Sequence, residues 1–399
     1  MNRYLTQTIR RFSQKKFLFL CGPRQVGKTT SARELLDQTG GMYLNWDIPE
    51  DRERILKEVF TSKAGGLRAR CLVLDEIHKY PRWKLALKGL FDRKLAGLSV
   101  IVTGSARLDV YQKGGDSLLG RYEYLRMHPL SLGELRDFSA KPPPASAGDW
   151  RQLGQGSTWN EAEVELRKLE TRSGFPEPFA DEDPLLYGRW SVLRKSQLIR
   201  EDIRDLSNIQ LFSLLEHMIM LLPERVGSPL SINSLREDVR INHQTASTWL
   251  DLLERLYFTF RIPPYSRRIA RSITKESKLY FWDWAQNREP GAVFENLVAS
   301  HLLKSVHLWT DLGYGEHRLC YLRNKDGDEI DFLVLKEQKP VVAIECKVSD
   351  ESISSSWRAF DHVLRDVPRI QLVRKPGVDF STAGGIRVVS AGIMLAGLS

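Results

Sequence analysis

Three groups of residues have types and spacings that could do chemistry. The first, Gly22-Pro23-Arg24-Gln25-Val26-Gly27-Lys28-Thr29 followed by Thr30, fits GxxxxGK[ST]. Glycines there let backbone N–H groups wrap phosphates, the Lys28 ammonium reaches the outer phosphates, and the Thr29 hydroxyl ligates Mg2+. The second is Asp75-Glu76, which closes the apolar run Leu72-Val73-Leu74. Such a pair holds Mg2+ through water with Asp75 and polarises an attacking water with Glu76. The run at 99–103 ends in Gly104-Ser105, so Ser105 or Thr103 would stand beside the outermost phosphate as a sensor; a plain strand-end turn is the alternative. The third group is Asp331, within 329–334, and the triplet Glu345-Cys346-Lys347. In a hairpin, Asp331 and Glu345 would converge on one divalent cation that activates water against a phosphodiester, with Lys347 orienting the nucleophile or offsetting charge.

These residues need elements to position them. Short apolar runs at 17–21, 42–44, 71–74 and 99–103 alternate with helical stretches, which predicts βα units and a parallel sheet. The glycine-rich loop follows the first run directly and opens a helical stretch through Leu36, whose N-terminus adds a favourable dipole for an anion. The proline-rich stretch at 141–148 can continue neither a helix nor a central strand and marks a boundary. From about Trp150 to Leu256 the pattern is helical. It ends in two short helices, 231–239 and 242–256, joined by a turn and followed by a strand at 257–262. The last third reads as a helix at 294–303 followed by strands at 330–335, 341–344 and 370–373, a second α/β domain.

The second of the two short helices would bury Ala246, Trp249, Leu250 and Leu253 and present His243, Gln244, Ser247 and Thr248. The pair with its following strand resembles a winged helix-turn-helix, which implies a helix laid in a DNA groove; packing or protein contact is the alternative. Beside it lie Arg261, Arg267, Arg268, Arg271, Lys275 and Lys278 against Glu276 alone, a density suited to phosphate contacts or to a solvated basic face.

Composition narrows the class. The chain has 399 residues, enough for several domains, and its 59 Lys and Arg against 50 Asp and Glu give +9, which favours a polyanionic partner. Hydrophobic residues at 42% and charged ones at 27% allow a packed core and exclude disorder. No apolar run approaches the ~18 residues of a membrane-spanning helix. Cys21, Cys71, Cys320 and Cys346 form no CxxC unit and read as reduced, buried thiols of a cytoplasmic protein. Leu5, Ile9 and Phe12 predict a docking helix in the Arg-rich N-terminus, in preference to a transit peptide.

The runs GPRQVGKTT, LVLDEIHKYP, VTGSAR and LLGRYEYLRMHPLSLGEL closely resemble bacterial and archaeal AAA-type ATPases that carry a C-terminal domain of uncharacterised function, and the likeness extends through Gly174-Phe175-Pro176-Glu177-Pro178 over nearly the whole chain. The resemblance implies ATP hydrolysis with Mg2+ at Lys28, Thr29, Asp75 and Glu76. It matches Arg121, in Leu119-Gly120-Arg121, to the arginine that completes a neighbouring subunit's site in a homo-oligomer; a surface arginine or a sensor in its own subunit is the alternative. The last third resembles the restriction-endonuclease-like PD-(D/E)XK fold, with Glu295 matching its helical acid and Ile330 standing where a proline usually precedes the first acid. Members of that fold class also bind nucleic acid without cutting it.

The expected architecture is therefore an α/β AAA-type P-loop core at 1–140, a linker and lid-like segment at 141–188, a helical and winged-helix domain at 189–277 and a restriction-endonuclease-like domain at 278–399. The expected function is an ATP-hydrolysing enzyme that remodels or translocates on duplex or branched DNA and could cleave it. One rival is a pure helicase or branch-migration motor whose last domain only grips DNA; another is a nucleotide-dependent switch acting on a protein.

Overall fold

The computed structural model describes residues 3–61, 70–93, 97–104, 118, 120–156, 159–183, 185–203, 211–266, 276–348 and 352–399. The four N-terminal apolar runs form β1 (Phe17–Cys21), β2 (Met42–Asn45), β3 (Cys71–Asp75) and β4 (Ser99–Thr103), and β5 (Tyr122–Arg126) joins them. Their order is β2-β3-β4-β1-β5, and every pairing is parallel, so the carboxyl ends of all five strands share one edge. β1 and β3 are buried along their whole length, which is why they read as unbroken apolar runs rather than alternating ones. β5 was not among the expected strands because it is half-buried at four of its five residues, and it carries Glu123 and Arg126.

Helix α1 (Thr6–Ser13) confirms the expected N-terminal helix, with Leu5 and Ile9 buried. Just before it, the Arg3 guanidinium is buried and donates to the carbonyls of Val26 and, at 2.6 Å, of His128. The N-terminus thus holds the glycine-rich loop from behind. Helix α2 (Lys28–Thr39) starts at that loop, and α3 (Trp83–Asp92) buries Trp83, Leu87 and Leu90 at i, i+4 and i+7.

The described chain forms two compact units. One comprises Met1–Pro129, Phe138–Ala140 and Arg255–Tyr257; the other Leu130–Asp137, Lys141–Glu254 and Phe258–Ser399. In the second, α4 (Ile232–Val239) and α5 (His243–Arg255) precede a two-stranded antiparallel ladder of β6 (Thr259–Ile262) and β7 (Lys278–Phe281). α4 begins with Ser231, whose hydroxyl accepts from the Ser234 N–H, and ends at Arg240 in a left-handed conformation. Helix α6 (Pro290–Asp311) is buried over much of its length and runs eight residues beyond its expected C-terminal end at 303.

A six-stranded sheet completes the unit. It consists of β8 (His317–Arg323), β9 (Glu329–Lys336), β10 (Lys339–Lys347), β11 (Arg369–Val373), β12 (Asp379–Ser381) and β13 (Ile386–Ser390), in the order β12-β13-β11-β10-β9-β8. β8, β9 and β10 are antiparallel neighbours, whereas β10, β11 and β13 run parallel. The expected hairpin of β9 and β10 is present: Ile344 faces Phe332, and Asp331 and Glu345 are the next residues along their strands.

Candidate nucleotide site and carboxylate cluster

The glycine-rich loop leaves the carboxyl end of β1 and turns into α2. Gly22 has φ 141°, and a Cβ there would stand 2.2 Å from the Met127 carbonyl oxygen, so both conformation and space demand glycine. Gly27 caps α2 with φ 99°. The Lys28 side chain is buried and donates to the carbonyls of Gly22 at 2.9 Å and Pro23 at 2.6 Å, folding back along the loop that it opens. Pro23, Arg24, Gln25, Val26 and Thr30 fill the remaining positions of the loop and first turn, with Gln25 also in a left-handed conformation (φ 63°).

Asp75 ends β3 opposite the loop and is clasped by hydroxyls. Thr103, at the end of neighbouring β4, donates to Oδ1 at 2.7 Å; Tyr43 on β2 and Thr29 on α2 donate to Oδ2 at 2.6 and 3.0 Å. The parallel register aligns these groups, since Asn45 and Thr103 both pair with Asp75 across the sheet. Burial, then the hydrogen bond and charge of Asp75, pushes the Tyr43 hydroxyl up to about 12, so it stays a donor. Arg33 lies 4.0 Å over the Tyr43 ring. Mg2+ fits here: Thr29 and Asp75, which would hold it, already face one another and are a hydroxyl and a carboxylate, the hard oxygen donors it takes.

Glu76 follows with φ 55°, a left-handed conformation that costs about 1 kcal/mol for a side-chain-bearing residue. Its N–H donates to the Thr103 carbonyl at 3.0 Å, which fixes the turn. Burial raises its carboxyl above the ordinary range, against Lys79 at 3.8 Å. His78 lies buried in the turn beyond, its Nε2 3.4 Å from Glu76 Oε2. Of the two expected sensors, Thr103 is turned onto Asp75, and Ser105 lies outside the described residues. Arg121 precedes β5 and its carbonyl accepts from the Phe17 N–H at the start of β1; its guanidinium pairs with Asp92 at 2.9 Å. It thus stands at the amino edge of the parallel sheet, opposite the loop, and so cannot serve as a sensor for the loop of its own subunit.

In the second unit three acids from two elements meet around one lysine. Glu295 on α6, Asp331 on β9 and Glu329 two residues before it surround the Lys278 ammonium at 3.1, 3.0 and 2.6 Å. Lys278, the first residue of β7, has 0% side-chain exposure. Asn296 on α6 fixes β7 there, accepting from the Phe281 N–H and donating to the Phe281 carbonyl, both at 2.8 Å. Tyr280 donates to Glu295 at 2.7 Å, and the Cys346 N–H donates to Asp331 Oδ2 at 2.9 Å. Glu345 pairs with Lys347 at 3.0 Å through Oε1, while its buried Oε2 has no hydrogen-bond partner. Burial first and the Asp331 charge second push both Glu295 and Glu345 up to about 7. Burial alone would lower the Lys278 ammonium, yet Asp331, Glu295 and Glu329 hold it above the ordinary lysine range.

A divalent ion between Asp331 and Glu345 does not fit this geometry. A lysine cation already answers Asp331 Oδ1, a backbone N–H takes Oδ2, and among the described residues no three His, Cys, Asp or Glu side chains could hold an ion together.

Residues 14–136 match the family described as an AAA domain. The N-terminal segment is thus a parallel-sheet, P-loop NTPase-like domain similar to that family. Behind it, residues 164–285 and 290–392 match two families, each described as a domain of unknown function (DUF8612 and DUF4143). An uncharacterized protein of Mycobacterium tuberculosis is 23% identical over 358 residues, covering 86% of this chain and 73% of its own length. Another, from Methanocaldococcus jannaschii, is 21% identical over 376 residues, covering 88% and 79%. Among solved structures, the RuvB Holliday junction branch migration motor of Thermotoga maritima overlaps 65% of this chain and 86% of its own at 16% identity and TM-score 0.29. The Hsp104–ADP complex of S. cerevisiae overlaps 63% and 38% at 15% identity and TM-score 0.30.

Outside the P-loop domain, α5 presents what the sequence predicted. Ala246, Trp249, Leu250 and Leu253 are buried, and His243, Gln244 and Thr248 are exposed, whereas Ser247, expected beside them, is half-buried. Two members of the basic cluster beside it are engaged by acids. Arg261 is engaged by Glu254 and Asp251 at 2.6–2.8 Å, and Lys278 is internal. Arg267, Arg268 and Arg271 lie outside the described residues. All four cysteines are free thiols, three of them buried. Among the described residues no helix is long and apolar enough to cross a membrane.

Tyr43 and Lys278 were not anticipated as site residues. Tyr43 sits in a run that reads only as a strand, and Lys278 was counted with its basic neighbours. The alternating pattern gives no warning in β7, whose four residues are all buried.

Proposed function

We propose that the chain hydrolyses ATP and uses it to remodel or translocate on DNA, duplex or branched, as a homo-oligomer in the cytoplasm. The observation that carries the hydrolytic part is the clasp of Asp75 by Thr29, Thr103 and Tyr43 beside Glu76, on the sheet edge from which the Lys28 loop springs. In this reading the loop N–H groups and Lys28 bind the phosphates, Thr29 and Asp75 hold the metal, and Glu76 accepts a proton from the attacking water. Mg2+ would supply charge neutralisation on the phosphates. Burial raises the Glu76 carboxyl, while Lys79, Lys28 and Arg24 draw it back toward the ionised form that a base needs. Arg121, remote from its own loop, suits a neighbouring subunit's site.

We read α4, α5 and the β6–β7 ladder as a winged helix with His243, Gln244 and Thr248 facing DNA, and the six-stranded sheet with α6 as a restriction-endonuclease-like core that grips without cutting. The Lys278 pairing favours gripping over cleavage by Glu295, Asp331, Glu345 and Lys347.

Lys28→Ala is expected to abolish ATP turnover, and added DNA is expected to stimulate the unmodified chain, less so as salt rises. End-labelled forked and four-way-junction DNA with Mg2+ and ATP, resolved on native and denaturing gels, tests the rest. Separated but intact strands are expected; shortened strands would replace the gripping reading with a nuclease. Full turnover by Lys28→Ala would remove the ATPase assignment, and turnover indifferent to DNA would favour a switch acting on a protein.

A further inference from the structure

We propose that Lys278 is a resident cation that takes the place of a divalent metal in the carboxylate cluster of the second unit, so that the folded chain does not bind such an ion there. The inference goes beyond the proposed ATPase and needs no nucleotide: a chain without ATP turnover would leave it intact.

Three features carry it. The Lys278 ammonium is within 3.1 Å of carboxylates from three residues on two further elements, Glu295 on α6 and Glu329 and Asp331 on β9. An ammonium among converging carboxylates at such distances occupies the space and answers the charge that would draw a hard dication. Second, Lys278 is placed there by dedicated contacts. Asn296 ties β7 to α6 through both its amide atoms, and the Tyr321 ring lies 5.6 Å from the ammonium while its hydroxyl donates to the Glu276 carbonyl at 2.6 Å, just before β7. Gly227 adds a wall, since a Cβ there would stand 2.9 Å from Glu295 Oε2. Third, the surrounding carboxylates are fixed by the protein itself. Tyr280 holds Glu295, the Cys346 N–H holds Asp331, and Arg323 pairs with Glu329 at 2.8 Å. Glu345 Oε2 is buried and without a hydrogen-bond partner, but an open oxygen beside an ammonium does not by itself hold a dication.

The same geometry predicts what removing the ammonium does. Lys278→Met keeps the apolar stem as far as the ε atom and deletes the ammonium, leaving Glu295, Glu329 and Asp331 around an empty position into which a metal can move.

The test is a Mn2+ titration of the full chain without nucleotide, followed by electron paramagnetic resonance, with Asp331→Asn as the control that reports the cluster. The unmodified chain is expected to bind no Mn2+ that Asp331→Asn removes. Lys278→Met is expected to gain about one Mn2+ per chain, at least about tenfold tighter than any site in the unmodified chain, and to lose it in Lys278→Met/Asp331→Asn. A site in the unmodified chain that Asp331→Asn abolishes would overturn the proposal. So would a folded Lys278→Met that gains none. If Lys278→Met does not fold, Lys278→Arg decides together with the unmodified chain: retained folding without a cluster-dependent Mn2+ site supports a resident cation, and acquisition of one refutes it.

Discussion

Asp75 ends β3 in a parallel sheet and Asp331 lies in β9 of a mixed one, and each gathers donors from neighbouring elements. Around Asp75 the donors are the hydroxyls of Thr29, Thr103 and Tyr43; around Asp331 they are the Lys278 ammonium and the Cys346 N–H. Hydroxyl donors orient a carboxylate and leave its charge to attract a cation, whereas a buried ammonium consumes that charge. Two acids that look alike in sequence are therefore set for different work by the type of donor that the fold brings to them. A strand-end acid predicts a cation site only when its neighbours are neutral.

The comparison breaks most visibly at Lys278. Lys278→Met leaves three carboxylates facing one another in a buried place, and a loss of about 3 to 5 kcal/mol is expected in the stability of the second unit, measured by urea unfolding. Lys278→Met/Asp331→Asn should recover part of it, because one of the stranded charges is gone. If Lys278→Met costs less than 1 kcal/mol, the ammonium is not what answers those charges, and the contrast with Asp75 disappears. Asp75→Asn is the matched change in the first unit. It keeps shape and one acceptor oxygen, and hydroxyls can turn to accept from the new amide N–H, so thermal unfolding should shift less than in Lys278→Met, while ATP turnover falls by about 100- to 1000-fold because Mg2+ loses its carboxylate. Stability lost without turnover in one region, and turnover without stability in the other, is the pattern expected.

A pH series sharpens the same point. Burial and the Asp331 charge raise the Glu295 carboxyl from 4.5 to about 7 in the folded chain. Between those values the folded state binds more protons than the unfolded one, so this contribution is present below about 4.5 and is lost as pH rises through about 7. Glu295→Gln, which cannot ionise, should flatten the fall between pH 5 and 7.5 by about 1 to 2 kcal/mol relative to the unmodified chain, read as the difference of two unfolding series. Equal slopes in the two series would mean that Glu295 ionises at its ordinary value and that the cluster is less enclosed than its geometry implies.

Much of the first unit was legible because its information is local. The loop pattern depends on consecutive residues, and β1, β3 and β4 announce themselves as apolar runs since a central parallel strand is covered on both faces. The helical face of α5 was legible through its 3.6-residue period. What escaped depends on which strands become neighbours. Tyr43 reaches Asp75 because β2 pairs with β3, and nothing within Met42–Asn45 distinguishes a tyrosine that packs from one that donates. Lys278 was assigned to a basic surface because its neighbours along the chain are basic; its neighbours in space are acidic and come from α6 and β9. The approach of Asp331 to Glu345 was legible as a hairpin of their two strands and Glu295 through the likeness to a nuclease fold, and the cation beside them was not. β5, β8, β12 and β13 were missed where exposed or charged residues break the apolar run, as Asp379 and the exposed residues of β12 show.

The finest test of the hydroxyl clasp is Tyr43→Phe. The ring stays beneath Arg33, so packing is preserved and only the 2.6 Å donor to Asp75 Oδ2 is lost. Because burial and Asp75 push the Tyr43 hydroxyl up to about 12, it donates at any working pH, and its removal costs a hydrogen bond to a charged acceptor, about 1 kcal/mol net. Asp75 then has one fewer group fixing its rotamer, while Thr29 remains hydrogen-bonded to the same oxygen and must exchange that bond for the metal. The expected outcome is a rise of about fivefold in the Mg2+ concentration needed for half-maximal ATP turnover, with the maximal rate changed less than twofold. A fall in maximal rate at unchanged Mg2+ dependence would move Tyr43 from orienting the metal ligand to the hydrolytic step beside Glu76, and no change in either would reduce it to a core tyrosine whose hydroxyl happens to lie near Asp75.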